Sequence, residues 1–390
     1  MTSSLHTFWT AVHRYSGLAI LVFLGFAALT GSVLCFMRPL DALINADLFR
    51  QQPVSAPPPV AEVVDRFRAA HPEYAVRSFP LDPAADQRIP VRIFAAKGQD
   101  GQDIDQLFLD RASGAIVGAR LSAPALNRRG GIQLLHDAHY TLMLQPYGRW
   151  FMGAMAAVWL ISNFVGVYLT FPLRGPFWTQ WKRTWRFSFR STFSRLMLDL
   201  HRSFGLWLIL PLTLLAVTSV GFNFFEEGYA PLVDRIVPEV QQKLPVVPAP
   251  QPLPLTASGA VAQARSVAAA MGGPWVPASV LMSAAKDRVG VTLTDDGTLS
   301  YRDLGPIYLY FDPATGKPVE VTDPYHGNRN LAAYRLLYPI HSGHVFGWPT
   351  VALVFICGLV TFAMCVTGVY LWWKRRPMRR GGPARREARA

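Results

Sequence analysis

Four apolar runs of about twenty residues divide the chain, and the polar stretches between them are of two kinds. Residues 17–37 (GLAILVFLGFAALTGSVLCFM) carry no charge and are long enough to cross a bilayer core of roughly 30 Å. Similar runs follow at Trp150–Phe171, Phe204–Phe225 and Val351–Trp373. A cleaved signal peptide has a shorter apolar region and a small-x-small cleavage site. Nothing of that kind precedes Arg38-Pro39, so the first run is expected to be a retained transmembrane helix.

The two long polar stretches read as small α+β domains. In the first, Pro57-Pro58-Pro59 is a linker, and Val63, Val64 and Phe67 give Ala61–Ala70 helical spacing. Ile89–Ala95 and Gln106–Asp110 then alternate as strands, the second entering a turn from Asp110 to Gly114. The second stretch repeats the plan. It has the proline-rich linker Pro245–Pro254, a helix over Ala257–Ala270, and strands at Val289–Thr294 and Pro306–Phe311, the latter turning from Asp312 to Gly316.

The halves also repeat in their motifs. His13-Arg14-Tyr15-Ser16-Gly17-Leu18 returns as His201-Arg202-Ser203-Phe204-Gly205-Leu206, each directly before or entering an apolar run. His136-x-x-His139 precedes the second run and His341-x-x-His344 the fourth; these runs close on Gly-Val-Tyr-Leu at Gly166 and Gly368. The expected architecture is a membrane protein with four transmembrane helices from a tandem duplication and two external α+β domains, the helices packing with pseudo-twofold symmetry. Its segments are 1–37 (N-terminus and first span), 38–147 (first domain), 148–172 (second span), 173–203 (basic loop), 204–225 (third span), 226–345 (second domain), 346–373 (fourth span) and 374–390 (basic tail).

Composition agrees with a membrane protein: 51% of the residues are hydrophobic and 16% charged, against roughly 25% charged in soluble domains. The net charge of +13 is not a nucleic-acid signature, because its distribution follows the spans. Between residues 172 and 203 seven Lys or Arg face one acid, and from 374 onward eight face one. The two long polar stretches are nearly balanced, 12 to 12 over 38–148 and 9 to 11 over 226–344. By the positive-inside rule the short loop and both termini are cytoplasmic and the two domains lie outside, which in a bacterium is the periplasm. The four aromatic residues Phe177, Trp178, Trp181 and Trp185 suit a membrane interface.

Six of nine histidines fall at repeat-related places, His13 and His201 toward one membrane face and the two His-x-x-His pairs toward the other. Ionisable side chains at membrane depth are rare and mark function. Histidines contributed in pairs by different helices suit axial ligation of haem iron, and two strong ligands favour electron transfer over oxygen chemistry. With no C-x-x-C-H, such haem is held by side chains alone: two b-type groups per chain, one at each face. Gly17 and Gly205, four residues after His13 and His201, share their faces and leave room for a flat ligand. Arg14 and Arg202 are candidates for propionate contacts. A tetrahedral zinc or copper site from the two His-x-x-His pairs is the rival, and it leaves His13 and His201 without a role. Spacing alone does not choose between the members of each pair. Cys35, Cys357 and Cys365 lie in apolar runs, and Asn163, Thr218, Ser219 and Thr361 are mid-span polar groups whose default is helix–helix hydrogen bonding. No Walker loop, G-x-G-x-x-G or Ser/His/Asp arrangement is present.

Taken together, His-Arg-x-x-Gly-Leu before a span, Tyr/Phe-x-Asp-x-x-Thr/Ser-Gly in an external segment, Leu-His or Ile-His before another span, and Gly-Val-Tyr-Leu-Trp-Trp at the end resemble the PepSY-associated transmembrane proteins, over about residues 8–376. The resemblance implies a bacterial inner-membrane protein with PepSY-like periplasmic domains, linked to iron uptake. Within that family are haem-containing reductases of ferric siderophores such as ferrioxamine. In the family pattern the histidine before Ser/Thr-Gly corresponds to His341, with His136 as its counterpart in the first half, where Asp137-Ala138 stands in place of Ser342-Gly343. On that correspondence the axial ligands are His13, His201, His136 and His341, and His139 and His344 sit beside them or face substrate. The expected activity is reduction of a periplasmic ferric siderophore with electrons from an unidentified cytoplasmic or membrane donor. A siderophore or iron transporter and a cofactor-free binding or regulatory protein are the other readings.

Overall fold

The structure is a computed structural model; it describes residues 2–84, 86–98, 101–240, 242, 244, 256–283, 285, 287–298 and 302–380. The proline-rich linker Pro245–Pro254 and the tail beyond Arg380 lie outside the described residues. In chain order the elements are α1 (Thr2–Leu34), α2 (Met37–Ile44), α3 (Ala46–Phe49), α4 (Val60–Ala70), β1 (Val76–Pro80), β2 (Ile89–Lys97), β3 (Asp103–Leu109), β4 (Ile116–Arg120), α5 (Gly131–Thr141) and α6 (Tyr147–Leu169). The rest are α7 (Phe177–Trp181), α8 (Phe193–Trp207), α9 (Ile209–Asn223), α10 (Ala230–Ile236), α11 (Ala257–Met271), β5 (Val276–Met282), β6 (Val289–Thr294), β7 (Ile307–Phe311), β8 (Pro318–Thr322), α12 (Arg329–Ser342) and α13 (Trp348–Arg380). The chain forms two compact units, one of helices (residues 1–35, 136–231 and 340–390) and one built on a sheet (36–135 and 232–339).

In the helical unit, α1, α6 and α13 are each long and apolar enough to cross a membrane. Large apolar side chains such as Val22, Ile161 and Phe164 stay exposed on them, as lipid-facing residues do. The third apolar run differs from the expected continuous helix over 204–225. It is two helices, α8 and α9, bent by 71° at Leu208. The cause is Pro211: it has no N–H for the Trp207 carbonyl four residues back, and its ring crowds that carbonyl. Between α6 and α8 the basic loop carries a run of ring contacts, with Phe171, Trp181, Trp185 and Trp207 joined in sequence at centroid distances of 5.6, 5.3 and 5.5 Å. The indole N–H groups of Trp181 and Trp207 donate to Thr170 Oγ1 and the Trp185 carbonyl, both at 3.0 Å, so these two rings have their polar edges satisfied, as at an interface.

The sheet unit corrects the expectation of two separate domains. All eight strands form one antiparallel sheet in the order β4-β3-β2-β1-β5-β6-β7-β8. Each half supplies a four-stranded meander whose first strand would be a bare edge; β1 and β5 pair antiparallel, Ser78 opposite Leu281 and Pro80 opposite Ser279, so neither edge is left open there. One face is covered by α4 and α11. Val60, Val63, Val64 and Phe67 of α4 and Ala260, Ala264 and Val267 of α11 are buried against Ile89, Val91, Leu107, Val291, Leu309 and Phe311. Asp65 of α4 ties the halves together, accepting the N–H groups of Ala257 and Ser258 at the start of α11 (both 2.9 Å). Both Asp-to-Gly turns form as read: Asp110 Oδ1 accepts from Ser113 N at 2.8 Å and Asp312 Oδ1 from Ala314 N at 2.7 Å. Gly114 and Gly316 close them at φ +77° and +64°.

Arg120, at the end of β4, is held on all sides. It makes a two-pronged pair with Asp41 (2.9 and 2.7 Å), donates through Nε to Gln106 (2.8 Å), and lies over the Phe49 and Phe108 rings. Removing Arg120 would leave the partly buried Asp41 carboxylate with Asn45 Nδ2 (2.8 Å) in place of its counter-charge. Arg120→Ala is expected to cost about 3–5 kcal/mol of stability, read as a lowered unfolding midpoint.

Candidate functional site

Two pairs of imidazoles face each other inside the helical unit. His13 of α1 and His201 of α8 have ring centres 6.3 Å apart, with planes at 75°. His139 of α5 and His341 of α12 have ring centres 6.4 Å apart, with planes at 56°. Thr30, the contact of His139 on α1, stands seventeen residues beyond His13, about 25 Å at 1.5 Å per residue. The pairs therefore lie well apart along α1.

The same pattern of contacts recurs around all four rings. His139 Nδ1 lies 2.9 Å from Thr30 Oγ1 and His341 Nδ1 3.0 Å from Thr218 Oγ1. His13 Nδ1 lies 2.9 Å from Ser162 Oγ and His201 Nδ1 3.0 Å from Thr367 Oγ1. Thr218, Ser162, Thr367 and Thr30 are all buried, so each of these hydroxyls works away from water. Glycines lie against three of the rings. A Cβ on Gly166 would come within 3.3 Å of His13 Cε1, on Gly31 within 3.0 Å of His139 Cε1, and on Gly368 within 3.7 Å of His201 Cε1.

The expected residues fall out unevenly. His13 and His201 face each other as expected, and His341 is paired with His139. His136 is not opposite His341; it is exposed, with its ring 6.4 Å from Tyr140, and His139 occupies the inner position. The physical reason is helical phase: on α5 residues three apart are turned by about 60° from one another, and the face carrying His139 is the one turned to Thr30. His344 lies past the end of α12, its Nδ1 2.8 Å from Ser342 Oγ. Gly343 ends that helix at φ +79°, and a Cβ there would meet the Thr350 carbonyl at 2.5 Å, so glycine is required. Gly17 has open space beside it, whereas Gly205 faces Met364 Cε at 3.3 Å; the glycines lying against the imidazoles are Gly31, Gly166 and Gly368. Arg14 is half-buried on α1. Arg202 donates to the buried Asp199 at 2.7 Å, and its Nε is buried with no hydrogen-bond partner among the described residues.

Burial sets the charge of the inner pair. Desolvation, then the neighbouring His341 and His136, push His139 down to about 3, and desolvation pushes His341 down to about 4. Both are neutral near pH 7, the form in which imidazole is a ligand. Among the described residues no group of three or more His, Cys, Asp or Glu converges as an ion site, so the two His-x-x-His pairs do not assemble a four-ligand centre.

Apolar helices of membrane-crossing length joined to a β-sheet domain make this a membrane protein. The chain belongs to the family described as the PepSY-associated TM region, which matches residues 10–375. No curated protein matches it.

Proposed function

We propose that the protein is a di-haem b oxidoreductase of the bacterial inner membrane that carries electrons across the bilayer and reduces a ferric siderophore on the periplasmic side, releasing ferrous iron. The observation that carries this reading is the pair of opposed imidazole couples. Metal–imidazole bonds of about 2.0 Å on either side of one atom, with roughly 1 Å from each nitrogen to its ring centre, set the centres about 6 Å apart. The separations of 6.3 and 6.4 Å suit that arrangement. Gly31, Gly166 and Gly368 keep side chains off three of the rings, and the partnerless Nε of Arg202, one residue from His201, suits a propionate.

On this reading His13 and His201 hold one haem, and His139 and His341 the other. Bound between two imidazoles, haem supplies one-electron transfer and offers no open position to oxygen. The protein's part is to hold the rings in one orientation, keep them neutral and exclude water. Four spans, with α8 and α9 together as the third, follow from the apolar runs. The basic loop and tail favour the cytoplasm for both termini, which puts the sheet unit in the periplasm. Ferrous iron is a poor partner for hard-oxygen chelators, so one electron is enough to release it.

An optical spectrum of the purified protein before and after dithionite tests the proposal, with haem quantified per chain. Low-spin b-type bands at about two haems per chain are expected. A colourless protein from cells supplied with haem would sink it.

One observation favours a second reading, transport of the siderophore or of freed iron. The break between α8 and α9 is a discontinuous helix of the sort transporters use to expose backbone groups at a binding site. Uptake into proteoliposomes in the absence of any reductant would support that reading.

A further inference from the structure

The four hydroxyls facing the imidazoles do more than fill space. A hydroxyl has a single proton to give. Thr30 Oγ1 donates its proton within its own helix, to Phe26 O at 2.8 Å with Ala27 O at 3.2 Å. Thr218 Oγ1 does the same toward Leu214 O at 2.8 Å and Leu215 O at 3.1 Å, and Thr367 Oγ1 toward Met364 O at 3.0 Å. With that proton on a backbone carbonyl, each oxygen is free to accept from the ring nitrogen beside it, an arrangement that favours the N–H on Nδ1 of His139, His341 and His201. Nε2 is left with its lone pair bare, in the tautomer a metal requires.

A threonine bonded back to its own helix is commonplace in membrane spans and by itself says nothing about a ligand. What differs here is the placement. Each paired imidazole has such a hydroxyl at Nδ1, within 2.9–3.0 Å, and Ser162 fills that place for His13. Thr30 and Thr218 stand at equivalent positions of the two halves, seventeen residues after His13 and His201 respectively. Neutral imidazole in a dry interior could settle in either tautomer, and an acceptor at Nδ1 favours the one with its proton there.

We infer that Thr30, Thr218 and Thr367, with Ser162, are positioning residues that fix the tautomer and orientation of the haem-ligating histidines and lower the haem potentials by strengthening imidazole as a donor to ferric iron. This rests on the haem reading above. An N–H held by an acceptor makes the ring more basic, and the ferric state gains more from a basic ligand than the ferrous state does.

The test is a redox titration, followed optically, of the haem-loaded wild-type protein and of Thr218→Val, Thr218→Ser and Thr30→Val. Valine keeps the shape of threonine and removes the acceptor; serine restores it. A tenfold loss of preference for ferric over ferrous iron raises the midpoint of the affected haem by about 59 mV. That upward shift is expected in Thr218→Val, with Thr218→Ser at the wild-type value, and a smaller one in Thr30→Val, where the Ala27 carbonyl still serves His139. Selective loss of one haem from Thr218→Val, with retention in Thr218→Ser, also supports the inference. Two low-spin haems at unchanged midpoints in both valine variants overturn it, as does an equal shift in the serine variant. A wild type without haem overturns the underlying reading instead, so the two failures are told apart.

Discussion

One haem per chain instead of two is the expected outcome for His139→Ala, and the same for His341→Ala, His13→Ala and His201→Ala. His136→Ala and His344→Ala are expected to retain both. The asymmetry follows from geometry. His139 faces His341 at 6.4 Å with its Nδ1 engaged by Thr30, whereas His136 is exposed and His344 lies beyond the end of α12 beside Ser342. If each couple holds a haem as proposed, losing one imidazole would remove one of the two side chains that hold it, and a haem held by side chains alone would be lost or change to high spin. The two couples are about 25 Å apart along α1, far enough that a deletion at one leaves the other undisturbed. Haem per chain and the low-spin band of each variant decide the matter. Loss of a haem from His136→Ala, with both retained in His139→Ala, would reverse the assignment.

That distinction was present in the chain but hidden by the choice of anchor. Aligning the halves on the leading member of each His-x-x-His pair sets His136 against His341. Counting back from Gly-Val-Tyr-Leu gives the other answer: His139 is 27 residues before Gly166 and His341 is 27 before Gly368. The structure follows this second register. Thr141 and Gly148 approach backbone to backbone in the first half, and Gly343 and Thr350, each 202 residues later, do so in the second, the glycine having changed sides. Apolar runs, the helix over 257–271 and the strand Val289–Thr294 were legible because burial imposes a period on the side chains. The union of the sheet was not. Pairing of β1 with β5 joins residues about 200 positions apart through backbone groups, which every sequence carries alike. The bend at Leu208 did have a signal in Pro211, masked by the unbroken hydrophobicity around it. Residue type alone makes Thr218 a helix–helix hydrogen-bonding group and does not reveal that its interhelical partner is an imidazole.

Mild acid is expected to destabilise the haem-free protein well above the pH at which its carboxylates titrate. His139 is held down to about 3, first by burial and then by the neighbouring His341 and His136, and His341 is held down to about 4 by burial. In the unfolded chain both return to 6.5. Above that value both states are neutral, and these residues confer no pH dependence. As the pH falls from 6.5 toward about 4, the unfolded chain takes up protons that the folded one refuses, so stability is lost on acidification. Once the pH is below the folded values the two states bind equally and the slope vanishes. Two such groups give a slope of roughly 2–3 kcal/mol per pH unit, which in a chain of this size lowers the unfolding midpoint by several degrees per unit. Thermal unfolding of the haem-free protein in detergent across this window measures the slope directly. The His139→Asn/His341→Asn variant isolates it, because neutral amides keep polar groups in the cavity and cannot take up the protons. A slope that persists undiminished in the double variant would assign the acid sensitivity to other groups. A haem held by these rings would compete with the same protons, so a loaded protein is expected to keep its unfolding midpoint to lower pH than the unloaded one.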